Sequence, residues 1–225
     1  MQLLSRGGFL RMTEEEWLAC DDPQSLLFFV DASARKYRLF GVACARALWP
    51  RLSDWRLRRA VEVAELHADG LASEADLHAC RSRLASKRRR GATDFVRSAT
   101  DPSTHLNVRT AATAWTAGCE PFDDPARWEP AERTINAQFA PLVRDLFGNP
   151  FRPVILAPEW LRWNDGCVPR IAEGIYQERA FDRLPILHDA LLDAGCDNED
   201  VLAHCLAAGP HVRGCWVLDL LINKK

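Results

Sequence analysis

The sequence predicts an all-α protein: an irregular multi-helix bundle or a short helical stack with at most one short strand. Three observations carry this. Apolar residues recur at helical spacing along most of the chain. Capping residues repeatedly stand just before those stretches. Only 151–157 reads as extended, bounded by prolines, and a lone strand has no visible partner, so an irregular link is the better expectation there.

Thr13 and Glu16 form a capping-box pattern that starts a short helix over 14–20, with Trp17 and Leu18 as apolar contacts. Asp22-Pro23 starts a second, since Asp caps and Pro suits the first turn. A third covers 35–48, where Leu39, Val42, Ala43 and Ala47 share a stripe, and Trp49-Pro50 stops it. Asp54 caps 55–68, with Leu57, Val61, Ala64 and Ala68 buried and Arg58 and Glu62 paired outside. Asp69-Gly70 closes it. Ser73 caps the next helix, which runs towards Arg90.

The middle is harder to read. A helix over 99–118 contains AATAW, diluted by Thr and Asn. Residues 118–130 carry Pro121, Pro125 and Pro130 and form the candidate linker. Helix resumes over 131–147 and ends at Gly148-Asn149-Pro150. Asp165 opens a helix over 167–179, Asp182 caps another that tolerates Pro185, and Gly195 ends it. Asp197 or Asn198 caps 199–207, and 213–221 is the last helix. This divides the chain into a helical region over 12–120 and another over 131–225, packed as one unit. Residues 1–11 fit poorly with the rest of the chain and read as a disordered tail or a misplaced start, with Met12 the cleaner beginning.

Composition narrows the function classes. The chain has 225 residues and a formal net charge of -2, too balanced for a globally basic nucleic-acid binder. Residues 1–120 carry 18 basic and 15 acidic side chains, and the remainder 11 and 16, which leaves room for a local basic patch. Eight cysteines are scattered with no CxxC, no signal-peptide pattern is present and no apolar run spans a membrane. A cytoplasmic protein with reduced, buried cysteines is expected. HExxH, GxSxG, GxxxxGK and GxGxxG are absent.

Potential ligand and catalytic residues cluster late. Cys196, His204, Cys205, His211 and Cys215 are the residue types that bind zinc. Their spacing matches no tight knuckle, and His204 and Cys205 point about 100° apart on one helix. Packing and structural hydrogen bonds account for them, so no metal, cofactor or catalytic residue is assigned. His188 beside Asp189, or the His204/His211 region, is the least weak acid–base site. His67, His78 and Asp69 flank a turn, and His105 has no clear partner. The pairs Asp21-Asp22 and Asp123-Asp124 are explained by capping.

Arg81, Arg83, Lys87, Arg88, Arg89 and Arg90 form the strongest charge feature. A solvated helix terminus explains it, and phosphate contact is the functional alternative. Trp160 and Trp163 offer either an aromatic ledge for a protein partner or a lock on the Pro-bounded segment.

At MTEEEWLACDDP, RKYRLFGVACARALW, RRAVEVAELHADG, LVRDLFGNPFRPVILAPEWL, IYQERAFDRLPILHDALLDAGC and GPHVRGCWVLDLL the sequence resembles a bacterial family of uncharacterised proteins. The resemblance spans nearly all of residues 12–222. Members begin near MTEXEWL, which supports Met12 as the start. The resemblance implies no activity, cofactor or catalytic residue; related C-terminal blocks beside other modules imply an adaptor or regulatory role. The expected function is a protein-interaction or regulatory helical module through Trp160, Trp163 and the C-terminal helices. The alternatives are a small hydrolase-like or metal-dependent enzyme, and a nucleic-acid-binding protein using the basic helix end.

Overall fold

The computed structural model describes residues 12–85, 91–101, 105–118 and 124–224. The tail over 1–11 and the basic residues Lys87, Arg88, Arg89 and Arg90 lie outside the described residues. Among the described residues there are twelve α-helices and no strand: α1 Glu14–Ala19, α2 Pro23–Phe29, α3 Ala34–Ala47, α4 Trp55–Ala68, α5 Glu74–Ala85, α6 Ala92–Ala99, α7 His105–Ala117, α8 Pro125–Phe147, α9 Pro158–Glu178, α10 Leu184–Asp193, α11 Glu199–Leu206 and α12 Trp216–Leu221. The all-α expectation holds. No described helix is long and apolar enough to cross a membrane.

Local chemistry sets most boundaries. The Thr13 hydroxyl accepts from the Glu16 amide while Glu16 accepts from the Thr13 amide, two otherwise orphaned donors satisfied at once. At α2, α4 and α11 the side chains of Asp22, Asp54 and Asn198 accept from first-turn backbone amides. Ser73 and Asp76 exchange hydrogen bonds at the start of α5.

Elsewhere packing overrides local pattern. The helix expected over 99–118 is not one element: α6 ends at Ala99 with Thr100 as its C-cap, and α7 starts at His105. Helix α8 begins at Pro125, not near 131, and absorbs Pro130 so that Trp128 is buried. A helical segment from Pro158 precedes the expected helix over 167–179, whose start at 167 is kept, and the two form α9. Its chain then bends through Trp163 to Gly166, and Asp165 takes φ 55° instead of capping. Asp182 does not cap either: Phe181–Arg183 form a 3-10 turn and α10 starts at Leu184. Glu62 pairs with Arg59, while Arg58 donates to the Leu52 carbonyl and lies over Trp49.

Two apolar clusters form. The first runs from Trp17 to Leu146 and centres on α3, which packs on α4, α6, α7 and α8. The second, from Trp160 to Leu221, is built by α9 to α12. A buried ionic seam ties them. Arg35 at the start of α3 holds Asp219 of α12 at 2.7 Å and Asp69 at 3.1 Å. Tyr176 of α9 donates to Asp69 at 2.7 Å, and Arg213 pairs with Asp69 at 3.0 Å. Burial and the Asp69 hydrogen bond raise the Tyr176 hydroxyl above its ordinary value. Gly214, at φ 91°, comes so close that an added Cβ would sit 2.6 Å from Leu39. The C-terminal helices therefore lie directly on α3 and the end of α8.

Candidate metal centre

That docking brings four potential ligands together. Asp145, His204, His211 and Cys215 place one ligand atom each within 4.8 Å of one another. Asp145 projects from the last turn of α8, three residues after the buried Leu142. His204 lies in α11, His211 in the loop between α11 and α12, and Cys215 at the start of α12. Asp145 and Cys215 are buried and the two histidines half-buried.

Each group is held by a partner outside the cluster. His211 Nδ1 lies 2.8 Å from Asp145 Oδ1, and its Nε2 donates to the Ala207 carbonyl at 3.0 Å. Both partners are acceptors, so this geometry favours the doubly protonated, cationic ring. Burial disfavours that charge, but Asp145 more than offsets it and the His211 pKa is raised. The other Asp145 oxygen accepts from the Val212 amide at 2.9 Å. Burial alone pushes the Asp145 carboxyl up; hydrogen bonds from His204 and His211, with the charge of His211, outweigh it and leave it below its ordinary value.

His204 is oriented differently. Its Nε2 is 3.0 Å from Cys215 Sγ and 3.3 Å from Asp145 Oδ1. Trp216 Nε1 donates to its Nδ1 at 3.1 Å. An indole nitrogen only donates, so His204 Nδ1 accepts and the proton of the neutral ring sits on Nε2. The Trp216 ring is itself pressed against Gly148, where an added Cβ would meet it at 3.1 Å.

Cys215 is 0% exposed, and burial followed by the Asp145 charge pushes its thiol well above the ordinary value. A Cys-His-Asp hydrolytic triad needs the nucleophile on one imidazole nitrogen and the carboxylate on the other. Here both face the same nitrogen of His204, and the thiol is buried. The arrangement does not have triad geometry.

The sequence singles out His204, His211 and Cys215 but explains them by packing. The structure gathers these three and separates the remaining two: Cys196 and Cys205 are buried in the second apolar cluster, and burial lifts the Cys205 thiol to about 12. Asp145 is the member that sequence reasoning misses. Its signal is a charged residue on the buried side of an amphipathic helix.

The other candidates stand apart. His188 Nδ1 is 3.0 Å from Asp189, a neighbour whose side chain is 80% exposed. The His67 ring meets the Ala72 carbonyl, and Asp69 stays in the turn as the C-cap of α4 while its side chain joins the ionic seam. Trp160 is 5% exposed within the second cluster, with Trp163 partly buried against it. Arg81 pairs with Asp101. The side chain of His105 lies outside the described residues. Comparison of the chain with protein-family models, with curated proteins and with solved structures finds no match.

Proposed function

We propose that the protein binds a divalent transition metal, zinc by ligand chemistry, through Asp145, His211, Cys215 and His204. The observation that supports this is the convergence of one carboxylate, two imidazoles and one thiol, from three helices and a loop, within 4.8 Å. Two nitrogens, one sulfur and one oxygen suit zinc, which favours four ligands at about 2.0–2.3 Å. Three of the four already have the outer contacts of metal ligands. His211 donates its far N–H to a carbonyl, Asp145 has its second oxygen on an amide, and Cys215 faces the amides of Val217 and Leu218. His204 completes the set when Trp216 releases its Nδ1, because binding through Nε2 moves the ring proton there.

A closed, buried, four-protein-ligand centre serves structure more readily than catalysis. The metal would fasten α11, α12 and the intervening loop to the end of α8, coupling folding of the C-terminal block to metal. With His204 held by Trp216, three ligands and an open position remain, the form that Lewis-acid hydrolysis needs. The interaction role expected of the C-terminal helices is compatible with a metal-fastened module.

The test is metal content and affinity of the untagged full chain. Wild type is expected to take up one equivalent of zinc. Cobalt substitution should give a thiolate charge-transfer band that Cys215→Ala removes and His188→Ala leaves unchanged. Absence of saturable zinc uptake, or a Cys215→Ala protein that binds zinc as wild type does, overturns the reading and leaves the cluster as a hydrogen-bonded network.

A further inference from the structure

A cavity of about 190 Å³ lies between α3, α4 and the chain that follows α9. Its floor is apolar, made by Leu39, Val42, Phe181 and Val212, and its charged lining is Arg46, Arg179, Arg213 and Glu65. His211 contributes one wall, so the cavity adjoins the Asp145 cluster without depending on it.

The charges in the lining do not balance. Glu65 is 3% exposed and pairs with both Arg46, at 3.0 Å, and Arg179. Arg213 pairs with Asp69, but Asp69 is also shared by Arg35 and Lys224. Three guanidinium groups thus face one carboxylate of the lining, with Glu62 adding its field from further out. The Nε of Arg46 is buried and has no hydrogen-bond partner among the described residues. Burial, then the charges of Arg46 and Arg213, lower the Arg179 pKa to about 10. Each of these is what an unmet demand for negative charge produces.

Bracing Glu65 does not account for Arg179. Arg46 alone would neutralise that carboxylate. Arg179 also stands at φ 54° at the end of α9, a left-handed position where a residue with a Cβ costs roughly 1–2 kcal/mol and glycine is the usual occupant. A second cation on one carboxylate, at an unfavourable backbone position in the lining of an apolar cavity, is the feature that calls for a ligand.

We infer that this cavity binds a small organic anion: a carboxylate or phosphate head held by Arg46, Arg179 and Arg213, with a short apolar chain on Leu39, Val42, Phe181 and Val212. Guanidinium donors suit both head groups because they bind them bidentately. The apolar floor favours an amphiphile over a bare ion.

The experiment is calorimetric titration of the chelator-treated full chain with hexanoate, hexyl phosphate, inorganic phosphate and hexanol, repeated with zinc present. Saturable binding of hexanoate or hexyl phosphate at one site is expected, and the tighter of the two identifies the head group. Arg179→Gly removes a cation while relieving the backbone, so it should remain folded and bind about tenfold more weakly, the loss of one charge-assisted hydrogen bond. If that variant fails to fold, Arg46→Met carries the same expectation. The inference is overturned if neither amphiphile binds saturably, if hexanol binds as well as hexanoate, if inorganic phosphate binds as well as hexyl phosphate, or if the folded arginine variant binds as wild type. Zinc uptake is read separately, so failure of this site and failure of the metal centre are distinguishable.

Discussion

Trp216 donates its indole N–H to Nδ1 of His204 at 3.1 Å, and that single bond decides which nitrogen of His204 carries the proton. It places Nε2–H between Asp145 and Cys215, where a metal would require a lone pair. The indole therefore competes with the metal for the state of one ring.

Replacing Trp216 by Phe should tighten zinc binding, the reverse of the usual effect of removing an outer contact. One neutral hydrogen bond is worth about 0.5–1.5 kcal/mol net, so the dissociation constant should fall by roughly threefold to tenfold. His204→Ala should raise it instead. Competition with a chromophoric chelator measures both, and equal affinities in wild type and the Phe variant would show that His204 takes no part in binding.

The metal-free protein should lose stability on both sides of an acid-to-neutral optimum. His211 has a raised pKa, so its contribution is complete below the unfolded value of about 6.5 and is lost as pH rises through the folded value. Asp145 has a lowered pKa, so its contribution is present above the unfolded value of about 3.9 and is lost as pH falls through the folded value. Zinc needs deprotonated His211 and Cys215, so the loaded protein should gain stability as pH rises. Urea midpoints across pH, with and without zinc, report this; a metal-free protein whose midpoint climbs from about pH 6 to about pH 8 would contradict it.

Asp69→Asn should destabilise strongly. The Asp69 side chain is fully buried and accepts from Arg35, Tyr176 and Arg213. Removing its charge strands buried cations, which costs about 3–5 kcal/mol when one member of a buried pair is lost. Chemical denaturation measures the loss. Tyr176→Phe removes the hydroxyl that donates to Asp69 and accepts from Arg35, and should cost about 1–3 kcal/mol.

Gly148→Ala should cost about 1 kcal/mol or more. Its φ is 68°, and an added Cβ meets the Trp216 ring at 3.1 Å. Alanine is strained in that conformation, and the ring that must give way is packed on His204. A stability loss accompanied by altered tryptophan fluorescence is expected; a loss without the spectral change would mean that the backbone alone bears the cost.

Local chemistry is readable along the chain because it acts over three or four residues. The Thr13–Glu16 box, the Asp22, Asp54 and Asn198 caps and the Gly195 stop all need only their immediate neighbours. The all-α class comes from these and from helical periodicity. Where a side chain has a distant use, local reading fails. Trp128 lies in a helix that starts earlier than its local pattern suggests, and it is buried there.

The candidate centre shows the same division. His204, His211 and Cys215 can be recognised by residue type, because imidazole and thiol are the chemistry of zinc ligands. Their meeting point cannot, because it depends on how α11 and α12 dock on α8. Asp145 lies 66 positions from His211, and Asp69 lies 107 from Tyr176. In sequence each is one more carboxylate near a helix end. Burial beside a particular cation or imidazole is what gives each its role, and only the tertiary structure decides which groups leave water together.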